Sequence, residues 1–184
     1  MKTRIKILMR ILLLAAFCLS ITRCSNEPLN LEADLQGNAL LTKTSNSKSS
    51  NVKFNFTTNL SGDNEVPAVE TNATGEAIVK ISRDESWIYY KLIVANIENV
   101  RMSHFHMAQA GTNGGIVVWL YDNRDGQPSG PSNGVIAEGV IMAEDIGGAL
   151  EGDMAALIEA IRNGNIYVNV HTLQVGSGEI RGQL

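Results

Sequence analysis

The chain has three histidines, and their placement points to metal chemistry: His104 and His106 flank Phe105, and His171 lies far downstream. In an extended strand, residues two apart have Cα atoms about 6.8 Å apart and project from the same face. Two such imidazoles can converge on one ion at about 2.0–2.1 Å each, and a third from a neighbouring strand would complete a set. Three histidines with an open position form a known catalytic zinc arrangement, and imidazole also suits copper. Proton competition should then weaken binding as pH falls through the free imidazole value of about 6.5. The competing reading is three unconnected polar residues on a solvent face. Other chemistry is thinly represented. Asp122-Asn-Arg-Asp-Gly126 has Arg124 at the third ligand position of a calcium loop, so it reads as a turn. Gly176-Ser-Gly178 lacks the spacing of a nucleophile elbow. With no nucleophile–base pair outside the histidines, a binding role is favoured over turnover.

The elements that must position these residues are mostly strands. Period-two alternation marks candidates at Val52–Thr58, Gly75–Ser82, Trp87–Ala95, Val100–Met107, Ile116–Tyr121, Val135–Ala143, Ile166–Thr172 and Glu179–Leu184. Gly, Pro, Asn and Asp fill the intervals, including Asp122–Gly134. Short strands so spaced predict an all-β, antiparallel, Greek-key-like sandwich or barrel. One segment departs: Met154, Leu157, Ile158 and Ile161 fall at helical spacing. Asp153 is its candidate N-cap and Gly164 its C-terminal glycine, giving a short helix at about 153–163. Strand parity puts His104 and His106 opposite Phe105. It sets His171, with Tyr167 and Asn169, opposite Ile166, Val168 and Val170. The expectation is an imidazole cluster on the outer face of one sheet. Trp87, Tyr89 and Trp119 are candidates for an aromatic surface, with ordinary strand packing as the alternative.

Residues 1–23 read as a signal peptide: a basic start (Lys2, Arg4, Lys6, Arg10) precedes the apolar run Ile11–Leu19, too short to span a bilayer. Cys24 then suggests a lipidated N-terminus of bacterial lipoprotein type, although Arg23 stands where a small residue is usual. Residues 24–52 are a polar tract with the composition of a flexible linker, and the domain is assigned to residues 53–184. The implied address is the outer side of a bacterial membrane, in the periplasm or at the cell surface, or otherwise secretion. The leader holds five of the 15 basic residues, leaving 10 against 19 acidic groups, a formal −9. That balance argues against nucleic acid as a partner, and against membrane contact other than through an N-terminal lipid. Both cysteines, Cys18 and Cys24, precede the domain, so it contains no disulfide or thiolate metal site.

Three motifs carry a resemblance. Leu60-Ser-Gly-Asp-Asn-Glu-Val-Pro-Ala-Val69 with Thr71 and Gly75 is similar to the opening of the CHRD (chordin) domain. His104-Phe-His106 with Ala110-Gly-Thr-Asn-Gly114 resembles its middle motif. Tyr167-Val-Asn-Val-His-Thr172 and Gly178-Glu-Ile-Arg-Gly-Gln183 resemble its closing signature. Ala68 and Phe105 depart from the commoner residues. The resemblance implies a cell-envelope binding or interaction module directed at a protein or envelope ligand, with no general enzymatic activity. Glu65, Glu179 and Arg181 are the charged residues inside its motifs. Their expected role is a structural ion pair or loop clamp, or a carboxylate that orients a histidine ring. A more distant likeness is to the copper half of copper-zinc superoxide dismutase, a Greek-key barrel. It implies that His104, His106 and His171 match copper-site histidines, while the bridging histidine and the disulfide have no counterpart. The alternative function is therefore a copper- or zinc-dependent redox or hydrolytic enzyme.

Overall fold

The computed structural model describes residues 52–184; the leader, Cys24 and the linker up to residue 51 lie outside the described residues. Eight strands follow in chain order: β1 Asn55–Ser61, β2 Thr74–Ile81, β3 Ile88–Glu98, β4 Val100–Met107, β5 Gly115–Asp122, β6 Pro131–Ile141, β7 Ile166–Thr172 and β8 Ile180–Gln183. Among the described residues one α-helix, α1, spans Met154–Arg162 between β6 and β7. All strand pairs are antiparallel, in the order β5-β4-β7-β8-β1-β2-β3-β6, and the sheet rolls into a nearly closed barrel. Across the remaining seam the Tyr90 hydroxyl on β3 donates to the Leu120 carbonyl on β5 at 2.8 Å. The all-β class expected from the alternation is the observed one.

Inward side chains from every strand form one core, including Phe56, Val79, Leu92, Phe105, Val118, Val168, Val170 and Ile180. The passage from β3 to β4 takes a single residue, Asn99, at φ 54°. Asparagine tolerates this left-handed conformation better than most residues, and the Asn99 side chain accepts from Gly130 N–H at 3.2 Å. The helix forms as its pattern predicts. Asp153 caps it by accepting from Ala156 N–H at 2.9 Å, and Gly164 follows at φ 68°. Its apolar stripe, Met154, Leu157, Ile158 and Ile161, joins the core.

Strand limits differ from expectation at several places, and β3 runs on to Glu98 beyond the expected Ala95. β1 begins at Asn55 and runs to Ser61, β6 begins at Pro131, and β8 is only Ile180–Gln183. Pro131 can open a strand because β6 pairs on one side only, with β3, where a missing N–H is tolerated. Irregular pairing in β3 carries β6 through Gly134 at φ 100°, a conformation that hid this stretch inside an apparent loop.

Candidate metal centre

The histidines sit on the neighbouring strands β4 and β7. Register sets His104 opposite Asn169 and His106 opposite Tyr167, while Trp119 of β5 flanks His104 on the other side. Parity holds: Phe105, Val168 and Val170 point inward and the three imidazoles outward. The cluster is nevertheless buried, with His104, His106 and His171 only 1%, 8% and 6% exposed. The outer face of the sheet is therefore covered here, not open to solvent. Every residue of β7 is buried, on both faces, because the loops after β4 and after β7 fold back over the outer face.

One ring nitrogen from each histidine lies within 4.8 Å of the others. His104 Nδ1 is 3.2 Å from His171 Nε2. His106 Nδ1 lies 2.9 Å from the Gly114 carbonyl, and His171 Nδ1 lies 3.0 Å from the Gly176 carbonyl. A carbonyl only accepts, so both Nδ1 atoms carry the proton and both Nε2 atoms present a lone pair. Metal-binding histidines are commonly held in this way, with the second nitrogen tied to a backbone carbonyl. The Nε2 atoms of His104 and His106 are buried without a partner, a costly arrangement for a polar atom. Two donors sharing an ion at about 2.1 Å can be at most about 4.2 Å apart. Ring movements of under an ångström would bring the set within that span.

Electrostatics keep the rings neutral, the form that binds metal. Burial, followed by repulsion from His171 and His106, lowers the His104 pKa to about 3. Burial also lowers His106 and His171, against the raising effect of the Gly114 and Gly176 carbonyls. On these directions, proton competition for the ring nitrogens falls below the 6.5 of a free imidazole.

Among the charged motif residues the contacts of Arg181 and Glu179 are loop clamps, not ion pairs. Arg181, 2% exposed, donates to the Thr112 carbonyl at 2.8 Å and to Asn113 Oδ1 at 3.1 Å. It clamps the loop after β4, and makes no ion pair with Glu65 or Glu179. Glu179 accepts from the Thr71 and Thr172 hydroxyls at 2.8 and 2.6 Å, tying the loop before β2 to the end of β7. Buried Glu65 faces Arg181 and the amide of Asn169; burial raises its pKa and the nearby guanidinium offsets part of that rise. Asn169 in turn places Oδ1 3.0 Å from His171 Nε2. Tyr167 stacks flat on His106, 4.8 Å between centroids, and Trp119 meets His104 edge-on at 4.2 Å. Trp119 thus belongs to the cluster, whereas Trp87 and Tyr89 lie on or beside β3. The structural importance of Asn169 was not read from the sequence. Its shared parity with His171 was the available signal.

Comparison with known proteins returns one match. The family model described as CHRD domain covers residues 56–184. No curated protein and no solved structure matches the chain.

Proposed function

The chain belongs to the CHRD domain family, and from that premise we propose an exported binding module whose buried histidine cluster holds one Cu²⁺ or Zn²⁺ ion. CHRD domains occur in extracellular proteins, which fits the basic and apolar leader. On this reading Cys24 tethers the domain to the outer side of a membrane, and residues 24–52 give it reach toward a protein or envelope ligand. His104, His106 and His171 would hold the ion. The bound cation would supply Lewis acidity or, if copper, a redox centre.

The carrying observation is the convergence of three neutral imidazole donors within 4.8 Å, with Nε2 of His104 and His106 buried and unpartnered. Side chains placed for packing alone rarely leave such atoms unsatisfied. The coverage of the cluster supports retention of an ion over turnover of a substrate. Protein purified without an affinity tag should contain or take up one equivalent of copper or zinc. His104→Ala and His171→Ala should bind at least about tenfold more weakly. Variants that bind as tightly as the parent would make the histidines structural only.

A further inference from the structure

We propose that Asn169 is a fourth donor to the same ion, through Oδ1, and that Glu65 holds its amide in the donating orientation. The inference rests on the metal reading above and adds a ligand and a selectivity.

His171 makes one contact that two polar groups alone would leave unfavourable. His171 Nδ1 gives its proton to the Gly176 carbonyl, so Nε2 presents a lone pair. Two atoms face that lone pair: His104 Nδ1 at 3.2 Å and, at 3.0 Å, Asn169 Oδ1, itself an acceptor. Two acceptors at that distance repel unless a cation lies between them. The alternative, turning the amide so that its NH₂ faces His171, is opposed from the other side. On that side the Asn169 amide faces the Glu65 carboxylate, whose Oε1 is buried without a hydrogen-bond partner and, like Asn169 Nδ2, borders Gly178. With NH₂ turned to Glu65, the carbonyl oxygen must face the histidines. Turning it over would set that oxygen against the carboxylate.

The spacings suit shared coordination. Two donors bound to one ion at about 2.0–2.1 Å with tetrahedral angles are about 3.3 Å apart. Asn169 Oδ1 lies 3.0 Å from His171 Nε2. Asn169 is also buried, at the position opposite His104 on the neighbouring strand. An amide oxygen is a hard donor, favouring divalent Zn²⁺ or Cu²⁺ over Cu⁺. Asn169 is thereby a specificity residue for the divalent state.

The test uses the full exported chain, tag-free, with Zn²⁺ and Cu⁺ as separate probes in competition with a chromophoric chelator. Asn169→Ala should lower Zn²⁺ affinity about tenfold or more while leaving Cu⁺ affinity within about twofold. Asn169→Asp, which keeps the volume and the oxygen donor, should bind Zn²⁺ at least as tightly as the parent and decides the matter if the alanine variant does not fold. Glu65→Gln should fall between the parent and Asn169→Ala for Zn²⁺. A parent that binds metal while Asn169→Ala matches it for Zn²⁺, or an Asn169→Asp that loses tenfold, would overturn this inference alone. A parent that binds neither ion would overturn the metal reading with it.

Discussion

The guanidinium of Arg181 lies over the ring of Tyr167, 3.4 Å from its centroid, and the opposite end of this short stack is His106. Arg181 thus joins the terminal strand to the site while its nitrogens hold the Thr112–Asn113 loop. Arg181→Lys keeps the charge and loses the planar fork. It should lower unfolding stability by about 1–3 kcal/mol, and Arg181→Ala by more, because buried acceptors lose their donor. Urea denaturation checks the order. A lysine variant as stable as the parent would show that the clamp contributes little.

Acid should weaken the metal-free domain through its histidines. A folded pKa below the unfolded value of about 6.5 means that the unfolded chain takes up the proton first. The stability is complete above pH 6.5 and declines as pH falls toward the folded value, about 3 for His104, with His106 and His171 acting in the same direction. Glu65 opposes this, since its raised pKa favours the folded state as pH falls. In a Glu65→Gln background, the urea midpoint should drop steadily from pH 6.5 to 5. The slope approaches about 1.4 kcal/mol per pH unit for each imidazole charged only in the unfolded state. A flat midpoint over that interval would contradict the buried, neutral cluster.

Trp119 offers an optical report. It is 42% exposed yet meets His104 edge-on. In Trp87→Phe, the remaining indole emission should be quenched by one equivalent of Cu²⁺ and left nearly unchanged by Zn²⁺. Emission that persists through copper saturation would place the ion elsewhere.

Cys24→Ala should release the exported protein from the membrane fraction into the soluble fraction. Unchanged membrane association would remove the lipid tether from the proposal.

Local signals in the sequence were read well because their causes are local. Asp153 and Gly164 bracket α1 from within a few residues, and the alternation of Ile166–Thr172 assigns both β7 and the outward parity of His171. What covers that outward face was not legible. Its burial depends on loops brought there by Arg181 and Glu179 from distant positions, and alternation cannot distinguish a solvated face from one under a loop. For the same reason the motifs alone left open whether the three charged residues pair with one another or clamp loops. Their actual partners are Thr71, Thr112, Asn113 and Thr172, together with the Asn169 amide that faces Glu65. Asn169 shows the limit most clearly, since an asparagine two residues from a histidine is unremarkable until the pairing of β4 with β7 sets it opposite His104.

X-ray absorption at the metal edge of the singly loaded full chain is the most direct test of the central claim. A three-histidine site with Asn169 predicts three imidazoles bound at about 2.0–2.1 Å with one oxygen at a similar distance, and loss of one imidazole from the shell in His171→Ala. A shell with fewer than three imidazoles in the parent, or one unchanged in His171→Ala, would contradict it.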